Sequence, residues 1–327
     1  MDSFIFSLEA TVPIFLVIVL GYVLMRVGFF TKEFTKIADK YVFKVALPVL
    51  LFKQIATADI HEEFDWRFVV FCMAATTLMF MVTWALAKLF LPDKDSVGSF
   101  AMCSVRGSAA ILGIAFIENI YGSSGMGPLM IVSSVPLYNI YSVIILTVEA
   151  KSRRHPETVQ TTETTTPKQA NVITASLLGI LKNPIIIGIF AGLPFAIIGI
   201  PIPTIPLKAL TSVANTATPV ALLVVGAGFE GGKALKKIGP TVVATMIKLV
   251  IVPAVFLPIA LWLGFRNEAL VAIIIMLAAP TTVTTYIMSK NMDNDEVLAS
   301  SIVVLATLLS SVTLTLWIFL MRSHGWI

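Results

Sequence analysis

Ten stretches of roughly 20 mainly apolar residues divide this chain, each the length a helix needs to cross hydrocarbon. They are expected at about 8–28, 38–57, 66–91, 98–121, 126–149, 173–199, 206–228, 238–264, 269–290 and 296–321. Only 13% of the residues are charged, about half the share in soluble domains. With no water in the bilayer core, backbone groups must find partners inside the protein, so spanning runs of this length fold as helices. The fold class is therefore an all-α integral membrane protein with the lipid bilayer as its solvent. The first run follows Asp2 and Glu9, lacks a basic lead and continues to Met25, so it reads as a retained helix and not a cleaved signal.

The ten runs fall into two sets of five: residues 1–150 and residues 172–327, joined by a Thr-rich polar linker over 151–171. Five is odd, so the second half is expected to lie inverted in the membrane relative to the first. A weak internal match supports this: Pro13 and Pro184, Gly21 and Gly192, and Pro48 and Pro219 are each 171 residues apart. The net charge of +4 signals no nucleic acid, because the lysines and arginines sit between spans, where they set orientation. Arg26, Lys32, Lys88, Lys94, Lys151, Lys236 and Lys290 fall on one side, whereas Arg67, Lys208, Arg266 and Arg322 fall on the other. The first side is expected to be cytoplasmic, with the linker inside and both termini outside a cell membrane.

Two spans are poor helices, and they occupy matching places in the two halves. In the ninth, Met276-Leu277-Ala278-Ala279-Pro280-Thr281-Thr282-Val283-Thr284-Thr285-Tyr286 sets a proline and four hydroxyls at mid-span. Proline removes an N–H and clashes with the carbonyl four residues back; the bland reading is a simple kink. In the fourth, Arg106, Gly107, Ser108 and Gly113 interrupt the apolar run, and glycine weakens a helix interior by about 1 kcal/mol against alanine. Paired interruptions of this kind are where a transporter's binding site is sought. If both helices break and cross, two half-helix N-termini converge, each carrying about half a positive charge and free N–H donors, which suits a carboxylate. The candidate substrate-binding residues are Arg106, Gly107, Ser108, Gly113, Asn215, Pro280, Thr281, Thr282 and Thr284. Arg106 either pairs with the anion or snorkels to the surface. Lys248 is read more readily as the partner of a structural group than of substrate. Asn215, next to Thr216, Thr218 and Pro219, reaches either a solute or a neighbouring carbonyl.

Other chemistries find no residues. Cys72 and Cys103 lie in apolar runs and His61, His155 and His324 in loops or the tail, so no catalytic set, metal cluster or cofactor is expected. The chain is read as a secondary carrier and not an enzyme. A cation-coupled symporter of the bile-acid type, needing buried acids that are scarce here, is the alternative, beside a channel or carrier for another solute. Coupling to protons or sodium is left open, and large lipid-facing surfaces admit a homodimer.

Ala278-Ala279-Pro280-Thr281, Met292-Asp293-Asn294-Asp295-Glu296, Ala306-Thr307-Leu308-Leu309-Ser310, Ala46-Leu47-Pro48, Leu112-Gly113, Tyr121-Gly122 and Lys182-Asn183-Pro184 together resemble the auxin efflux carrier family over essentially the whole chain. The resemblance implies ten helices in two inverted five-helix repeats, with a scaffold domain and a transport domain crossed by broken fourth and ninth helices. It also implies transport of organic anions, malonate or malate in bacterial relatives and auxin in plants. The linker is short, as in the bacterial type. The sequence departs from the family pattern at Ser108 and Ala115, where many relatives carry an Asn in the break and a Pro soon after the glycine.

Overall fold

The computed structural model describes residues 13, 16–57, 65–109, 126–153, 182–229 and 231–327. Within them the regular elements are helices, joined by one isolated antiparallel bridge between Gly107 and Thr281. Helix α1 is Leu16–Arg26. Helix α2, Lys32–Tyr41, runs through a π-helical turn, Val42–Ala46, into α3, Leu47–Ala56. Then come α4 (Trp66–Phe90), a 3-10 turn (Lys94–Ser96), α5 (Val97–Cys103) and α6 (Gly127–Arg153). The second half holds α7 (Pro184–Ile198), α8 (Thr204–Ala227), α9 (Gly231–Lys236) and α10 (Ile238–Met246). A second π turn, Ile247–Ile251, joins α10 to α11, Val252–Trp262. The chain closes with α12 (Asn267–Ala278), α13 (Thr284–Asn291) and α14 (Glu296–Ser323).

Among the described residues, five helices are long and apolar enough to span: Trp66–Phe90, Leu129–Ala150, Thr204–Ala227, Ile238–Trp262 and Glu296–Ser323. Each falls on an expected run. The expected linker beyond 153, the start of the sixth run and the fourth run beyond 109, Gly113 included, lie outside the described residues. The second helix begins earlier than its apolar pattern suggests, because the Thr31 hydroxyl accepts the Phe34 N–H at 3.1 Å and starts the helix in polar sequence. Asp65, Asn183 and Asp295 cap α4, α7 and α14 in the same way.

Both π turns end one residue before an Xaa-Pro step, Leu47-Pro48 and Val252-Pro253. A widened turn absorbs a proline that neither donates nor fits the narrow helix. The carbonyl four residues before Pro253, that of Leu249, accepts the Trp317 indole N–H of α14 at 2.9 Å.

The helices pack in two groups. Helix α3 lies against α7 and α8; α4 lies against α5 and α6; α14 lies against α5, α10, α12 and α13. Glycines set the first group: at Gly21, Gly188, Gly192 and Gly226 an added Cβ would stand under 3.0 Å from the backbone of a neighbouring helix. A Cβ on Gly21 of α1 would stand 2.2 Å from the Leu223 carbonyl oxygen of α8, and one on Gly192 of α7 would stand 2.8 Å from that of Phe52 in α3. These contacts exchange under the internal offset, since 192 − 21 = 171 and 223 − 52 = 171. At the boundary between the groups, Lys290 of α13 forms an ion pair with the buried Asp39 of α2.

Candidate functional site

A broken helix buried among its neighbours must find partners for the carbonyls it orphans. In α12 the break is at Pro280, and the carbonyl four residues back, that of Met276, accepts the Tyr138 hydroxyl of α6 at 3.0 Å. The next carbonyl, Leu277, accepts the Lys248 ammonium at 2.7 Å. The Pro280 carbonyl accepts the Ser108 N–H at 2.9 Å. The end of α5 is satisfied reciprocally. The Cys103 carbonyl takes the Thr281 hydroxyl at 2.8 Å, Val105 takes Lys248 at 3.0 Å, and Arg106 takes the Thr282 N–H at 3.4 Å. The two non-helical stretches, 104–108 and 279–283, thus cap one another. The N–H groups of Gly107, Val283 and Thr284 are left without a partner among the described residues.

Beside this crossing is a small opening of about 40 Å³. Its walls are Leu47, Leu50, Leu51 and Gln54 of α3, Val135, Tyr138 and Asn139 of α6, and Arg106, Gly107, Ser108, Thr282 and Thr284 of the crossing. It therefore lies where the two helix groups meet. A larger hollow between α4 and α10–α11 is lined almost wholly by aliphatic and phenylalanine side chains, and offers a polar solute nothing to bind.

Arg106 is 5% exposed, which decides against snorkelling. Its guanidinium donates to Asn139 Oδ1 at 2.7 Å and touches the Met288 sulfur. Lys248, fully buried, faces the crossing on its other side. Among the described residues no carboxylate lies within ion-pair distance of either cation.

Of the residues expected at the site, Arg106, Gly107, Ser108, Thr282 and Thr284 come together at the opening. Pro280 and Thr281 are buried behind it, and the Thr281 hydroxyl is spent on Cys103. Asn215 is exposed on α8 and does not line the opening, while its neighbour Thr216 bonds the Tyr41 hydroxyl at 2.9 Å. Gln54, Tyr138 and Asn139 were not anticipated. The adjacent Tyr138-Asn139 pair inside an apolar run was a legible signal, because polar groups at that depth seek partners.

Comparison with known proteins points one way. A family model described as membrane transport protein matches residues 6–318. The chain is 22% identical to an uncharacterized transporter of Methanothermobacter thermautotrophicus, over 96% of this chain and 98% of that one. It is 26% identical to a Rhizobium meliloti protein provisionally named a malonate transporter, over 95% and 94%. It is also 23% identical to the mouse lysosomal cholesterol signaling protein, over 75% of this chain but 28% of that longer one. With a family match running nearly end to end on a chain of buried, broken and spanning helices, the protein is a membrane transporter and belongs to the membrane transport protein family, that of the auxin efflux carriers.

Proposed function

We propose that the protein is a secondary carrier of small organic anions, carboxylates such as malonate or malate, held at the crossing of the two broken helices and moved by alternating access. The observation that carries this reading is Arg106, a guanidinium buried at the wall of the opening with no carboxylate partner among the described residues. A cation at mid-span costs about 2.5–3.5 kcal/mol on insertion scales, and an anionic solute would offset that cost. The Thr282 and Thr284 hydroxyls line the same opening, and the uncommitted N–H groups of Val283 and Thr284 stand at the start of α13, where the helix dipole favours negative charge. The name of the Rhizobium relative agrees with a small dicarboxylate.

The same reading takes the chain as ten helices in two inverted repeats, 1–150 and 172–327, around the 151–171 linker. The interchange of the Gly21–Leu223 and Gly192–Phe52 contacts under one offset supports it, because a two-fold repeat makes each contact the image of the other. The distribution of loop lysines and arginines supports a plasma-membrane carrier with both termini outside and the linker in the cytoplasm.

The test is uptake of labelled malonate, malate, a monocarboxylate, an indole acid and a neutral amino acid into proteoliposomes, with and without a proton gradient. Saturable uptake of one carboxylate is expected, falling at least tenfold in Arg106→Gln as a charge-assisted contact is lost, and falling also in Pro280→Ala. Flux of the neutral solute alone, or carboxylate uptake indifferent to Arg106→Gln, would overturn the assignment.

A further inference from the structure

Lys248 is the second buried cation, and its partners differ in kind from those of Arg106. Its ammonium touches neither the opening nor a side-chain acid among the described residues. It donates to two main-chain carbonyls, Leu277 at 2.7 Å and Val105 at 3.0 Å. The first belongs to the last turn of α12 and the second lies just past the end of α5. Each helix C-terminus carries about half a negative charge, so two of them meeting on one point present roughly one negative charge, enough to balance one monovalent cation. Unwound carbonyls and half-helix C-termini are where carriers built on broken helices hold a coupling ion such as sodium. The position is also sterically reserved: a Cβ on Gly107 would lie 2.9 Å from the Lys248 nitrogen and 3.2 Å from the Ala279 carbonyl oxygen.

We propose that Lys248 is a tethered cation, its ammonium occupying between the Leu277 and Val105 carbonyls the place of a coupling metal ion, so that the crossing is held together without sodium. The Lys248 stem comes from the π turn between α10 and α11, so the charge is anchored on a third helix and cannot be released with the solute. Lys248 is accordingly a positioning residue: it fixes the two broken helices to each other and touches no solute. This role goes beyond the choice of solute and does not depend on it.

The test is thermal unfolding of the purified full-length protein in lipid nanodiscs, in choline, sodium, lithium or ammonium chloride at equal ionic strength. No solute is present, so failure of the carboxylate reading leaves the result untouched. The wild-type Tm is expected to be the same in all four salts. Lys248→Ala is expected to lose roughly 5–10 °C in choline, and to regain most of it, saturably, in sodium, lithium or ammonium, which can enter the vacated site. Lys248→Met fills the space without charge and is expected to lose stability that no salt restores, whereas Lys248→Arg stays nearer the wild type. A wild-type Tm for Lys248→Met in choline, or a Lys248→Ala loss that no small cation repairs, would overturn the proposal. Should Lys248→Ala not survive extraction, the order of Lys248→Arg above Lys248→Met sustains it and the reverse order defeats it.

Discussion

Glycine at position 107 is required by its neighbours. A methyl there would press on the Lys248 nitrogen, already bonded to the Val105 and Leu277 carbonyls, and on the Ala279 carbonyl. Overpacking of this kind costs about 1–3 kcal/mol, so Gly107→Ala is expected to lower Tm by several degrees and to cut uptake. An unchanged Tm would show that Lys248 yields freely. Arg106 and Thr282 reach the opening while Thr281, one residue away, is turned inward to Cys103. Extended backbone explains the difference, since successive side chains there point to opposite sides. The run of hydroxyls was visible in the sequence, but which of them face a solute depends on the local backbone. The exposure of Asn215 had a signal of its own: Lys208, Thr211, Ser212, Asn215 and Thr216 stand at i, i+3, i+4, i+7 and i+8, so the polar residues of α8 share one face.

At the scale of elements, each break is answered by a donor from another helix. The Leu249 carbonyl before Pro253 takes Trp317, as the Met276 carbonyl before Pro280 takes Tyr138. Trp317→Phe is expected to cost about 1–3 kcal/mol for the stranded carbonyl, and less in a Pro253→Ala background, where a helical N–H is available again; equal costs in both backgrounds would refute the link. The interruption at Pro280 was legible in the sequence. The donors that answer the breaks were not, because Tyr138 and Trp317 lie far along the chain from the carbonyls they serve. Outside the membrane, Lys237 at the start of α10 pairs with Asp93 and Asp295, and the Ser96 hydroxyl contacts both acids. Burial pushes the Asp93 carboxyl up, but hydrogen bonds from Ser96 and Lys237 and the Lys237 charge outweigh it, leaving it below the usual range. Burial likewise pushes Lys237 down, and its bonds to Asp295 and Asp93 leave it above the usual range. The Asp93 contribution is therefore full above about pH 4 and fades as pH falls through its lowered value. The Lys237 contribution is full below about pH 10 and fades as pH rises through its raised value. The Tm difference between wild type and Lys237→Met should stay level from about pH 5 to 9 and shrink beyond both ends.

For the whole molecule, the boundary between the two helix groups decides what can move. The ion pair between Asp39 and Lys290, with the Tyr286 hydroxyl 3.1 Å from the Lys290 nitrogen, ties α2 to α13 across it. If one group shifts against the other during transport, this tie must open. In a protein with Gln54→Cys as a reporter in the opening, Asp39→Asn is expected to speed labelling by a charged thiol reagent roughly fivefold, the worth of about 1 kcal/mol. An unaltered rate would show that the pair does not hold the boundary shut. The same boundary depends on the π turn at Val42–Ala46. Leu47, Leu51 and Gln54 reach the opening because they share one stripe of α3, and the wide turn sets the angular phase of that stripe. It carries one residue more than an α-helical turn, and one residue is worth about 100° of rotation. A frame shortened by a single codon in this turn would leave the hydrophobicity of α3 untouched and dial its wall away from the crossing. Length within this segment is thus as strict a specification as residue identity.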